Sequence, residues 1–226
     1  MNKTLRYTII IFLGLGALAP VYGQTKAEKD LGSWFLFFNQ HQLSDPWSVL
    51  SEVQHRSYSF GTNFNQLLLS STLNYKVSDA VSFGAGYGLI PTDSSYEAIE
   101  DESLAYEHRI HQQLIMRQKF AGLTWIHRYR LEQRFLEDAQ GDYQLAHRAR
   151  YMARINFNLN KEWTLSVFDE VFLNLQKPTF SQNQLYLGMG YQATPQLNVQ
   201  VGFLKNHFNT VHYNRFLITL WYNTSS

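Results

Sequence analysis

The chain has 226 residues, no cysteine, 15% aromatic residues and a formal net charge of +1. That length suits one large all-β domain. The lack of cysteine excludes a disulfide framework, a Cys-ligated metal and a lipidated cysteine, and the near-neutral charge speaks against a general nucleic-acid binder.

Lys3 and Arg6 precede an apolar run from Tyr7 to Ala19, and Val21-Tyr22-Gly23 supplies a small residue ahead of Gln24. This is the pattern of a cleaved export signal over residues 1–23, because the run is shorter than the roughly 20 residues of a spanning helix. Residues 24–226 are then a single domain.

From Ser33 the chain reads as strands. Ser33–Leu43 is too apolar for its faces to be told apart, and Ser44-Asp45-Pro46 turns it. In Trp47–Tyr58, Trp47, Val49 and Val53 alternate with Glu52, Gln54 and Arg56; in Gln66–Val77, Leu67, Leu69, Leu73 and Tyr75 alternate with Ser70, Thr72, Asn74 and Lys76. Val81–Leu89 sets Val81, Phe83, Ala85 and Tyr87 against Gly84, Gly86 and Gly88. These glycines share one strand face with no helix behind them, so they indicate close packing or lumen space rather than a phosphate loop. An acidic loop follows, Pro91–Ser103, with Asp93, Glu97, Glu100, Asp101 and Glu102.

The sharpest signal is three consecutive long strands. Leu104–Phe120 alternates an apolar set with Glu107, Arg109, His111, Gln113 and Arg117; the next sets Leu123, Trp125, Tyr129, Leu131 and Phe135 against Arg128, Arg130, Glu132 and Arg134. The third sets Tyr151, Ala153, Ile155 and Phe157 against Arg148, Arg150 and Arg154. Successive strand side chains point to opposite faces, so each strand has one greasy and one cationic side. Trp163–Asn174 continues the pattern, with Glu170 on the polar face, Phe168 and Phe172 interrupting that face and Asp169 interrupting the apolar one. Three more runs, around Leu185–Tyr191, Leu197–Phe203 and Val211–Tyr222, complete the series.

Eleven strand candidates result, with tight turns at Ser78–Ala80, Ala121-Gly122, Asn160–Glu162 and Ala193–Gln196. Longer connections are expected near Gly61, over Pro91–Ser103 and Glu137–Asp142, and after Leu175. Short turns opposite longer loops, with aromatic strand ends, describe an up-and-down transmembrane β-barrel of the outer-membrane type. Such barrels normally have even strand numbers, so either residues 24–31 add a strand or a lumen crossing, or one run is misdivided, within a range of 10–12.

The stretches Trp47–Arg56, Glu107-His108-Arg109, His127–Phe135, Glu170–Asn174 and Asn183–Tyr191 resemble an exported bacterial family of unknown function that is held to form outer-membrane β-barrels. The resemblance covers nearly the whole mature chain and implies a fold and an address, in the outer membrane of a Gram-negative cell, but no catalytic residues. The C-terminus departs from usual practice for such barrels, because Asn223-Thr224-Ser225-Ser226 trails the aromatic pair Trp221-Tyr222.

With charged faces inward, the lumen gathers Arg109, Arg117, Arg128, Arg130, Arg134, Arg148, Arg150 and Arg154 around Glu107, His111, Glu132 and Glu170. Folding about the Ala121-Gly122 turn sets His111 by Glu132 and Gln113 by Arg130; the next hairpin is expected to set Arg130 near Arg148 and Arg128 near Arg150. Like charges across a ladder repel, so something anionic must compensate them. The candidates are Glu170 near Arg150, Glu52 on the far wall, the acidic loop folded inward as a plug, or small anions that bind in or pass through the lumen.

Two other readings are open. A lipid-modifying enzyme would need a nucleophile beside His108, His127 or His147, which fall on apolar faces; no Gly-x-Ser-x-Gly occurs, and no catalytic residue is assigned. A soluble periplasmic or secreted ligand-binding barrel would turn the same strands inside out, and periodicity alone does not say which face is inside. No metal site or cofactor is expected, since His108-x-x-His111 places its rings on opposite faces. The expected partners are membrane lipid and small anions, with the protein a monomer.

Overall fold

The computed structural model describes residues 26–96, 104–120 and 122–225. The export-signal reading and Glu97, Glu100, Asp101 and Glu102 of the acidic loop lie outside them. A short helix, α1 (Lys26–Lys29), precedes eleven strands: β1 (Leu31–Ser44), β2 (Trp47–Ser59), β3 (Thr62–Lys76), β4 (Val81–Thr92), β5 (Ala105–Phe120), β6 (Leu123–Glu137), β7 (Tyr143–Asn158), β8 (Trp163–Asn174), β9 (Phe180–Gln192), β10 (Leu197–His207) and β11 (His212–Ser225).

Each strand pairs antiparallel with its sequence neighbour, and β1 pairs with β11 to close a barrel. Because the number is odd, the first and last strands run the same way, and the seam is parallel, in register from Leu31–Asn214 to Gln42–Ser225. Closure leaves no sheet edge to pair with a second chain. Of the residues offered for a twelfth strand, Lys26–Lys29 are helical.

The turns follow local chemistry. Asn160 Oδ1 accepts from the backbone N–H groups of Glu162 and Trp163, and Asp138 Oδ1 from those of Gln140 and Asp142. Such side chains replace the ladder where the backbone reverses. Gly122 and Gly141 hold φ of +78° and +85°, conformations that a Cβ disfavours. The connection at Gly61, expected to be long, is a tight turn between Ser59 and Thr62, although it lies on the rim that carries the longer loops.

The structure resolves which face is inside. Tyr129 and Leu131 are 46% and 51% exposed on the outside, while Arg130 between them is 7% exposed. The same alternation makes Phe35, Phe37, Leu69, Leu73, Phe83, Tyr151, Leu187 and Phe203 outward-facing and exposed. The interruptions in β8 do not break the parity. Phe168 and Phe172 are buried inside, and Asp169 points out, where its Oδ1 accepts from Asn183 Nδ2 at 2.9 Å.

Part of the interior is an apolar core of Trp34, Met152, Phe168, Tyr186, Leu204 and Leu217, with Phe168 and Tyr186 stacked at 4.8 Å. Tyr186 lies across Gly188 and Gly202, and a Cβ at either glycine would overlap its ring. Gly202→Leu is therefore expected to destabilise the barrel by about 1–3 kcal/mol, the usual cost of overpacking. The outward Val201→Leu should be near neutral; urea unfolding in detergent micelles, followed by tryptophan fluorescence, compares the two.

Candidate functional site

The inward faces of β5 to β8 build one wall of the lumen. Register brings His111 opposite Glu132 and Gln113 opposite Arg130, as the β5–β6 hairpin predicts. The β6–β7 hairpin differs from expectation. Arg130 faces Arg150, Glu132 faces Arg148, and Arg128 faces Met152. The loop after Glu137 turns so that the strands slide two residues relative to the predicted pairing, which puts a carboxylate opposite one arginine and leaves another pair of arginines face to face.

Three glutamates hold five of the arginines in one chain of ion pairs. Glu107 accepts from Arg109 Nε at 2.7 Å and from Arg134 Nε and Nη2 at 2.9 and 2.7 Å. Glu132, 1% exposed, accepts from Arg148 Nε at 2.7 Å through Oε2 and from Arg150 Nη1 at 2.7 Å through Oε1, with Arg109 Nη1 at 3.8 Å. Glu170 accepts from Arg150 Nε at 3.0 Å and from Arg128 Nη2 at 2.9 and 3.1 Å. Arg150 thus bridges Glu132 and Glu170, and its guanidinium lies 4.2 Å from the Phe172 ring centroid. Phe172, an interruption in sequence terms, is the apolar shelf beneath the bridge.

Other arginines have no carboxylate within ion-pair distance among the described residues. Arg130 donates to Gln113 Oε1 at 2.7 and 3.3 Å. Arg154 lies 4.9 Å from the Phe168 centroid, and Arg117 reaches only Ser82 Oγ at 3.4 Å. Across the lumen, Arg56 donates to Gln54 Oε1 and Gln66 Oε1 and sits 4.0 Å over Trp34. Arg215 donates to the backbone carbonyl of Asn214 and lies 4.6 Å from the Tyr213 ring. Glu52, the anticipated helper on the far wall, accepts from Gln54. His111 is 1% exposed, its Nε2 2.9 Å from Thr72 Oγ1.

Arg56 and Arg215 were missed from the sequence as lumen residues. Arg56 gave a signal, alternating with Glu52 and Gln54 on β2; Arg215 stands alone ahead of an apolar run and gave none. With them, ten arginines and four glutamates (Glu52, Glu107, Glu132, Glu170) line the described lumen, an excess of six positive charges. The cavity is about 1260 Å3, and its lining extends from Gln42 and Ser78 at the tight-turn rim to Pro178 and Asn209 at the opposite rim.

At that far rim, Asp93 accepts from the backbone and hydroxyl of Ser95, and Asn63 donates to the carbonyl of Tyr96. The Tyr96 hydroxyl donates to Asp30, as does Ser59 at 2.9 Å. These bonds, that of Tyr96 first, hold the Asp30 carboxyl below its ordinary range. The start of the acidic loop therefore leans on the rim between α1 and β3.

Residues 31–216 match the model of DUF2490, a family of proteins of unknown function. The chain belongs to this family. No curated protein is significantly similar in sequence. In fold the chain is similar to the NanC porin, with a TM-score of 0.53 and 11% sequence identity over 85% of this chain and 98% of the porin. The barrel is thus porin-like in architecture. Among the described residues no group of three His, Asp or Glu is placed to hold a metal. The outward histidines His108 and His127 bond tyrosine hydroxyls, His127 that of Tyr151 at 2.9 Å.

Removing one partner from a buried ion pair strands the other charge, at a cost of about 3–5 kcal/mol. Glu132→Ala is expected to lose that much stability in urea titrations of the micellar protein. Glu162→Ala, in an exposed turn, should stay within about 0.5 kcal/mol of the parent.

Proposed function

We propose that this chain is an integral outer-membrane β-barrel whose arginine-lined lumen binds and passes small anions. The observation that carries the reading is the pairing of a cavity lined from rim to rim with an excess of arginine that the internal glutamates leave uncompensated. The membrane address is supported by the outward apolar faces, by Trp47, Tyr75, Trp163, Tyr191 and Tyr222 near the strand ends at the tight-turn rim, and by the export-signal pattern of residues 1–23. A soluble barrel of this sequence would have to show its arginines to water and its tyrosines and leucines to the core, the reverse of the observed parity.

Within the lumen the arginines that donate to glutamate or glutamine side chains divide into two kinds. Arg109, Arg128, Arg134, Arg148 and Arg150 are tied to glutamates and serve the wall. Arg56 and Arg130 have only amide oxygens as acceptors, so their guanidinium forks are the groups available to a carboxylate or phosphate. A pore lined by such groups favours anions.

Planar-bilayer recordings in a KCl gradient test this. The parent should reverse on the anion side, and Arg56→Gln with Arg130→Gln should move the reversal potential toward zero without touching the ion-pair chain. An unchanged reversal potential sinks the proposal. The acidic loop is the internal competitor for these arginines, since it leads into β5, which carries Glu107 and Arg109. Replacing Glu97, Glu100, Asp101 and Glu102 by glutamine raises conductance if the loop plugs the lumen and leaves it unchanged if the lumen is open.

A further inference from the structure

The outer wall is not evenly convex. A groove of about 830 Å3 runs across it from β2 to β8. One bank is a ridge of Trp47, Tyr75, Phe83, Leu114, Tyr129 and Tyr151, each in register with the next across successive strands. Rings touch along it, Trp47 with Tyr75 at 4.8 Å and Tyr129 with Tyr151 at 4.9 Å. The other bank is the next outward row, Leu73, Ala85, Gln112, Leu131 and Ala149, where two alanines leave the floor low.

The glycine run of β4 belongs to this feature. On the lumen side, a Cβ at Gly86 would lie 2.6 Å from His111 Nε2, and one at Gly84 would be 3.0 Å from Thr72 Cγ2. The β4 backbone therefore sits directly on the interior side chains, and the wall is thin where Gly84 and Ala85 line the groove. Of the run Gly84-x-Gly86-x-Gly88, Gly84 itself lines the groove, and the closest approaches to lumen side chains are at Gly84 and Gly86.

The chemistry of the groove selects its occupant. Its outward side chains are apolar or aromatic except Gln112, whose amide is spent on Gln133 in a reciprocal pair at 3.0 and 3.3 Å. Arg130 and Arg150 border it only from inward-facing positions, with their side chains in the lumen. Six strand spacings of about 4.8 Å give a length of about 29 Å along the slope. Half of a ~30 Å hydrocarbon core, the share of one leaflet's chains, fits within it. The convex wall of a second barrel would bridge such a groove without filling it, whereas a single extended chain lies along it.

We propose that this groove is a lipid site that retains an acyl chain of a bilayer phospholipid, beyond the transient contact made by the rest of the wall. The inference rests on the membrane-spanning reading but is independent of conduction. The chain packs against the aromatic ridge, and its headgroup lies by Trp47 and Tyr75, residues of the type that sits at the membrane–water interface.

The test uses the full chain reconstituted in vesicles of phosphatidylethanolamine and phosphatidylglycerol, then released into mild detergent for native mass spectrometry. The parent should retain phospholipid. Ala85→Trp with Ala149→Trp, which fills the floor from outside, should lose it, and Leu187→Trp on the outer face of β9 should keep it. Equal retention by the parent and the filled variant, or no retention by the parent, overturns the proposal. If the double variant does not fold, Ala149→Trp alone carries the comparison. Flotation of the protein with the vesicles separates the two failures: a chain that floats but shows no groove-dependent lipid refutes the site alone, and one that does not float refutes membrane insertion.

Discussion

Arg130 and Arg150 face each other across the β6–β7 ladder, and a barrel wall with that pair at its centre holds only if its charge is absorbed close by. The absorption is asymmetric. Arg150 is gripped by Glu132 and Glu170, one on each neighbouring strand, and rests on Phe172. Arg130 turns the other way and takes the amide oxygen of Gln113. Charged pairs in a low-dielectric interior hold when partners surround them, and the chain from Arg134 through Glu107, Arg109, Glu132 (with Arg148) and Arg150 to Glu170 and Arg128 gives each of its five arginines a carboxylate. The arginines outside it are the part of the lumen left for something else.

The inner and outer faces are consequences of one alternation. Every residue that fills the lumen fixes its two neighbours on the outside, so an arginine-rich interior on β5 to β7 is bought with an aromatic and aliphatic exterior on the same strands. The glycine run of β4 shows the coupling in its sharpest form. His111 and Thr72 pack where Gly84 and Gly86 leave the inner face of β4 bare between Ser82 and Ile90, and Ala85 between those glycines faces the outer groove.

Much of this was legible in the sequence, because a period of two survives any detail of packing. The eleven runs that form strands, the tight-turn rim and the β5–β6 register follow from alternation and turn residues, whereas the final count is open between 10 and 12 until Lys26–Lys29 prove helical and the seam parallel. The β6–β7 register did not, since the Glu137–Asp142 loop allows more than one closure and both sides of the hairpin are arginine-rich, so a two-residue slide preserves the pattern. Which face lies inside was also hidden, for the same reason that makes the pattern strong: alternation is symmetric between the faces. The far wall was hidden because the inward residues of β1 and β11, Trp34, Leu36 and Phe38 on one and Leu217, Thr219 and Trp221 on the other, are largely as apolar as the outward ones, and Arg215 is the one charge among the described residues of either inner face.

The absence of cysteine makes the central claim, apolar faces in lipid and polar faces in the lumen, directly measurable. Adjacent residues of β3 serve best: Leu69 is 39% exposed on the outer face, and Ser70 lines the cavity. Single cysteines at each, spin-labelled in vesicles, are read by collision with oxygen and with a water-soluble nickel chelate. The account predicts oxygen access and chelate exclusion at Leu69, with the chelate favoured at Ser70. The opposite assignment, or no difference between the two, would contradict it.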